Sequence, residues 1–137
     1  MNKIVSKETY KDGQVILSEG TFGEGTYVVL SGKVSISKKV GEESISITEL
    51  QKNDIFGEVG FINKEGRSAS VTAVGDVQVG LLDKDFLDNE FNKTSSEFQG
   101  ILKALTERVR KTTQEMITLK AENYLLKNSK LGEDRKI

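Results

Sequence analysis

The sequence predicts a mainly β domain with helices, of the α+β class: an antiparallel barrel or sandwich followed by one long C-terminal helix. Three observations carry this. Over residues 14–82 apolar residues mostly alternate with polar ones in short runs, the period of half-buried strands. Glycines punctuate those runs, as tight turns require. After Leu82 the apolar spacing lengthens to three and four, the period of a helix.

Taken in chain order, the strand pairs are Val15 and Leu17, Val34 and Ile36, Ile45 and Ile47, Val71 and Ala73, and Val77 and Val79. Many short strands at close spacing suit an antiparallel barrel or sandwich. Ser31-Gly32 is expected to be a hairpin turn, and Val74-Gly75-Asp76 another. Residues 83–91 predict a short helix entered at Asp83, with Phe86, Leu87 and Phe91 on one face. Thr94, Ser95 and Ser96 offer N-caps for a long helix over about residues 96–127.

Along that helix Leu102, Val109, Met116 and Asn123 fall at heptad a positions. Leu105, Thr112, Leu119 and Leu126 fall at d positions, and Phe98 extends the seam. A seam kept over four heptads, with one Asn at an a position, predicts a two-stranded parallel coil and hence a homodimer. The alternative is a helix that lies along its own domain. The expected organisation is a β domain over residues 1–94, a dimerisation helix over 95–128 belonging to the same module, and a charged, flexible tail over 129–137.

Composition narrows the function. The 137 residues carry 20 Lys and Arg against 21 Asp and Glu, a net charge of -1. A general nucleic-acid binder needs a basic excess to neutralise phosphates, so direct nucleic-acid binding is not expected. One small anion in a local site remains compatible. With no Cys and no His, thiol nucleophiles, Cys-based metal sites and imidazole acid–base chemistry are absent. No catalytic residue and no metal site is assigned, and the chain is not expected to be an enzyme. No apolar run reaches membrane-span length, and the start is too polar for a signal peptide, so no membrane contact and a cytoplasmic location are expected.

The segment that carries chemistry runs over residues 53–71. It is expected to enter as a strand, turn at Gly57, make one helical turn near residues 58–62, and return to a strand at Arg67. An acid, Glu58, and a base, Arg67, then bracket a turn whose free N–H groups can face an anion. Arg67 offers a planar donor fork for two phosphate oxygens, Glu58 offers acceptors for a sugar hydroxyl, and Gly57 admits close approach to the backbone. The competing interpretation is a surface ion pair between Glu58 and Arg67, which is worth little. Spacing alone does not separate the two.

This segment, read as FGE…RSA, resembles the phosphate-binding cassette of the cyclic-nucleotide-binding domain family. EGTYVVLSGKVSIS resembles the family's glycine-turned hairpin, NDIFGE its lead-in, and RSASVTAVGDVQVGLLDKDF the strand pair and helix start that follow. The resemblance covers about residues 10–127. It implies an antiparallel β-roll or jelly-roll with a long C-terminal dimerisation helix, binding cyclic AMP ahead of cyclic GMP as a ligand, with no cofactor. It also implies roles: Glu58 accepts from the ribose 2′-hydroxyl, and Arg67 pairs with the cyclic phosphate. The N–H groups of Gly57, Ser68 and Ala69, with the Ser68 hydroxyl, complete the oxygen cage. Val34, Ile47 and Leu50 match positions on the ligand's apolar side, where ordinary core packing is the competing interpretation.

The chain also resembles the sensor domain of bacterial catabolite-activator-type regulators, in which a Thr-Ser pair on the dimer helix contacts adenine, partly across the subunit interface. Thr112-Thr113 stands at the matching place, which gives the polar d position a reason. There are departures. Asn53 stands where the family often has Gly, and Gly60-Phe61 where Ala-Leu is commoner. The helix-turn-helix DNA-binding domain of the activators does not follow the long helix before Ile137, so a stand-alone sensor or the sensor piece of a longer regulator is implied. A dimerisation module that has the fold but no ligand is the alternative function.

Overall fold

A computed structural model describes residues 3–23 and 25–134, with side chains up to residue 127. The strands are β1 (Ile4–Tyr10), β2 (Val15–Leu17), β3 (Tyr27–Val40), β4 (Glu43–Leu50), β5 (Ile55–Phe56) and β6 (Ser70–Leu82). The helices are α1 (Glu58–Asn63), between β5 and β6, then α2 (Lys84–Lys93) and α3 (Ser96–Asp134). The sheet runs β1-β6-β3-β4, with β2 also on β6 and β5 also on β3, and every pairing is antiparallel. The α+β class is as the alternating pattern predicts. Among the described residues no helix is long and apolar enough to cross a membrane.

Two expected hairpin turns are not turns. β3 runs unbroken through Ser31-Gly32, and β6 through Val74-Gly75-Asp76. These two stretches face each other: the β3–β6 register shifts between Val29 and Ser31 and again between Ser31 and Lys33, beside Val74 and Gln78. Bulges bend a strand and increase its twist without ending it. Gly32 takes φ 82, and a Cβ there would collide with the Asp76 carbonyl oxygen. Glycine therefore marks a shared bend in a long strand pair. The tight turn is at Gly41, where Val40 pairs with Glu43 to close the β3–β4 hairpin.

The core forms between the sheet's inner faces. Val29, Val34, Phe56, Val71, Ala73, Val77 and Val79 make one buried cluster. Tyr27 stacks on Phe56 across β3 and β5, with ring centroids 5.2 Å apart. Val34 is wholly buried in this cluster.

The helices start where their caps predict. The Asp83 side chain accepts from the N–H groups of Asp85 and Phe86 and opens α2. Phe91 of α2 meets Phe61 of α1 edge to face at 6.2 Å. Ser95 Oγ accepts from Phe98 N at 3.1 Å and opens α3. The 39 residues of α3 span about 58 Å at 1.5 Å per residue. The helix continues past the expected end at 128, as far as Asp134 in the stretch expected to fray. The physical reason is that this stretch has no Pro, and one Gly inside a helix costs only about 1 kcal/mol relative to Ala. Residues 135–137 lie outside the described residues.

α3 lies along its own domain on one face and leaves the heptad seam exposed on another. Thr106, Arg110, Thr113 and Ile117 turn toward the β domain, and Ile117 is only 1% exposed. Phe98, Leu105, Val109, Leu119 and Leu126 are each about half exposed or more. Thr112 and Asn123 are exposed on the same side, while Leu102 and Met116 are half-buried at its margin.

Candidate functional site

The segment after β5 is shaped by its glycines. Gly57 is left-handed at φ 86, ψ -2 and caps α1, and a Cβ there would lie 2.5 Å from the Gly25 carbonyl oxygen. α1 stops after Asn63 because Lys64 is also left-handed, at φ 58, with its N–H returned to the Gly60 carbonyl at 3.0 Å. Gly60 packs beneath Arg67: a Cβ would sit 3.0 Å from both the Arg67 Nη1 and the Gly23 carbonyl oxygen. That contact explains Gly rather than Ala at this position. Asn53 adopts φ 76, the conformation that Gly would supply, and donates its N–H to the Val29 carbonyl at 2.9 Å.

Arg67 is held by four hydrogen bonds. Its N–H donates to the Thr21 carbonyl at 2.8 Å, and its own carbonyl accepts from Gly20 N at 2.9 Å. Its Nη1 donates to the carbonyls of Gly25 at 3.0 Å and Gly57 at 3.1 Å. The residue is 8% exposed, and burial lowers its pKa from the ordinary guanidinium value. Among the described residues no carboxylate pairs with it. Glu58 is exposed in the first turn of α1. The surface ion pair between Glu58 and Arg67 is therefore not formed.

Glu58 and Arg67 line one pocket of about 240 Å³. Gly57, Ser68 and Ala69 share its polar wall. Ile36, Ile47, Leu50 and Val71, with Leu17 and Ile55, supply its apolar lining. Val109 and Thr113 of α3 also line it. One wall thus offers a cation, small-residue backbone and a hydroxyl, suited to an anion, and the remainder suits a flat apolar ring.

The expected site residues divide accordingly. Gly57, Glu58, Arg67, Ser68, Ala69 and Thr113 line the pocket, as do Ile47 and Leu50. Thr112 does not; it is exposed on the outer seam of α3, because adjacent helical residues point about 100° apart. Val34 is core, since its side chain enters the valine cluster. Thr48 and Val109 also line the pocket, and neither was expected there. Val109 was legible only as an a position. Gly23 and Gly25, whose backbone forms the seat of Arg67, carry no signal in the sequence beyond being glycines.

The family model described as the cyclic nucleotide-binding domain matches residues 7–94. The CRP-like cAMP-activated global transcriptional regulator of Mycobacterium tuberculosis is 26% identical over 121 residues, covering 87% of this chain and 54% of that protein. The chain therefore spans about half the length of that curated relative. The EAL enzyme Bd1971 in its cAMP-bound form superposes with a TM-score of 0.75 at 28% identity, over 89% of this chain and 33% of that one. Its cGMP-bound form gives 0.72 at 30%, over 89% and 33%. The catabolite activator protein of Thermus thermophilus gives 0.63 at 25% identity, over 84% of this chain and 55% of that one. With the matched region spanning most of the β domain and all of the pocket's polar wall, this chain belongs to the cyclic nucleotide-binding domain family.

Proposed function

We propose that the chain is a regulatory module that binds a 3′,5′-cyclic nucleotide, cyclic AMP ahead of cyclic GMP, and couples binding to a dimer formed through α3. The observation that carries it is Arg67: a buried guanidinium, oriented by two carbonyls on one nitrogen, in a pocket whose remaining lining is mostly apolar. A buried cation calls for an anion, and a cyclic phosphate attached to a flat base fits both the cation and the apolar lining. Similarity to proteins solved with cAMP and with cGMP supports the ligand class.

In this reading Glu58 accepts from the ribose 2′-hydroxyl and Arg67 pairs with the cyclic phosphate. The N–H groups of Gly57, Ser68 and Ala69, with the Ser68 hydroxyl, complete the cage. Thr113, which lines the pocket, meets the base. Thr112, on the seam, meets the partner helix.

The dimer rests on the exposed seam and on charge. Glu115 and Glu122 flank the seam on one side, and Lys120 and Lys127 lie five residues after each on the other. In a parallel, in-register pair each Glu faces a Lys of the other helix, whereas an antiparallel pair opposes like charges.

Titration calorimetry with both nucleotides tests the reading. Wild-type protein is expected to bind, and Arg67→Ala to bind about 10- to 100-fold more weakly, the worth of a hydrogen bond to a charged group at about 1.5–3 kcal/mol. Bound nucleotide must also raise the thermal midpoint. No thermal shift with either nucleotide at millimolar concentration favours a dimerisation module without a ligand.

A further inference from the structure

We infer that Arg110, which lines no part of the pocket, is a positioning residue that ties α3 to the peptide unit carrying Arg67. Its guanidinium fork spans two groups of the cassette. Nη2 lies 3.1 Å from Glu65 Oε2, and Nη1 lies 3.4 Å from the Gly66 carbonyl oxygen. The Gly66 carbonyl and the Arg67 N–H belong to one peptide unit, and that N–H donates to the Thr21 carbonyl at 2.8 Å. The unit is thus held by α3 on one side and by the β2–β3 loop on the other. A shift of α3 along its axis pulls on the carbonyl and reorients the side chain that follows.

One helical turn earlier, at the i–4 position, Thr106 provides a second tie. Its Oγ lies 2.8 Å from Asn63 Oδ1 and 2.9 Å from the Lys103 carbonyl. One hydroxyl proton serves one acceptor, and Asn63 Nδ2 is a buried donor with no partner among the described residues. With the Asn63 amide turned end for end, Nδ2 donates to Thr106 Oγ, and the hydroxyl proton serves Lys103. The two ties bracket the loop that leaves α1. As an ion pair Arg110–Glu65 is half exposed and adds little stability, so its consequence is geometric.

The ligand-dependent part of this inference rests on the proposed function; the tie itself does not. Hydrogen exchange on the full chain separates them. Without nucleotide, Arg110→Met is expected to speed exchange at residues 64–69 several-fold over wild type. Glu65→Gln is expected to do so less, since the Gly66 carbonyl keeps its donor. Unchanged exchange in both variants overturns the tie, whatever the protein binds. With cyclic AMP, wild type is expected to gain protection in both 64–69 and the part of α3 facing the pocket. Arg110→Met is expected to keep the first, lose the second, and bind about fivefold more weakly or less well still, the lower end of a site-to-site coupling. Equal α3 protection in the variant overturns the positioning role. Wild type that binds neither nucleotide defeats the ligand assignment, while the ligand-free comparison still judges the tie.

Discussion

Arg67 Nη1 donates to the carbonyl oxygen of Gly57 at 3.1 Å, so the end of the cassette is fastened to its beginning. The same nitrogen holds the Gly25 carbonyl at 3.0 Å. The cassette and the β2–β3 loop are therefore one unit, organised around a single guanidinium. Its shape depends on backbone that passes close to backbone, which side-chain chemistry alone does not secure.

Gly57→Ala tests that dependence. The φ of 86 strains any L side chain, and the new Cβ would lie 2.5 Å from the Gly25 carbonyl oxygen. Gly13 has a similar φ of 83 and, among the described residues, nothing within 4 Å of its Cβ position, so Gly13→Ala carries the backbone strain alone, about 1–3 kcal/mol. Denaturant unfolding is expected to show the larger loss for Gly57→Ala. Calorimetry is expected to show that only Gly57→Ala also weakens nucleotide binding.

Thr113 and Thr112 are expected to separate by function. Thr113→Val removes a hydroxyl from the pocket wall, and Thr112→Val removes one from the exposed seam. The first is expected to lower affinity for the preferred nucleotide and narrow the gap between cyclic AMP and cyclic GMP. A single neutral hydrogen bond sets the size, about 0.5–1.5 kcal/mol. The second is expected to leave affinity nearly unchanged and to tighten the dimer, since Val packs better than Thr at a d position. Parallel titrations of the two variants with both nucleotides check this.

Much of this was legible in the residues, for identifiable reasons. Asp83 and Ser95 announced their helices because a capping side chain acts within three residues. The acid and arginine of the cassette were legible as types, but their separation in space was not. Arg67 is satisfied by carbonyls of Gly25 and Gly57, and backbone acceptors carry no sequence signature. Gly32 and Gly75 were misread as turns because a glycine at a bulge and one in a hairpin make the same local demand. The long-range β3–β6 pairing decides between them. Thr113 and Thr112 were inseparable for the same kind of reason: helical period fixes their relative angle, but docking of α3 fixes which one faces the pocket.

The two faces of α3 predict opposite consequences of apolar loss. Leu119 is 62% exposed, so Leu119→Glu is expected to leave the protomer's fold intact and shift sedimentation from dimer to monomer. Ile117 is 1% exposed, so Ile117→Ala is expected to destabilise the protomer by about 2–5 kcal/mol. Sedimentation velocity and denaturant unfolding on both variants separate the outcomes. A Leu119→Glu protein that sediments as wild type would remove the seam from the dimer.

Tyr10 gives a pH dependence with a definite sign. Burial first, then its hydrogen bond to Glu8 at 2.6 Å, raise its pKa from 10.0 to about 12. The folded protein thus keeps the phenolic proton at pH values where the unfolded chain has released it. The resulting stabilisation is complete below pH 10.0 and is lost as pH climbs toward about 12. Tyr10→Phe lacks both the hydroxyl and its titration. The expected result is a thermal midpoint higher in wild type than in Tyr10→Phe near neutrality, with the difference shrinking through the alkaline range. Tyr27 is also raised, by burial first and then by Glu8, so the variant is expected to retain part of the alkaline decline. A wild-type advantage that stays constant through that range would show that Tyr10 titrates alike in the folded and unfolded chains.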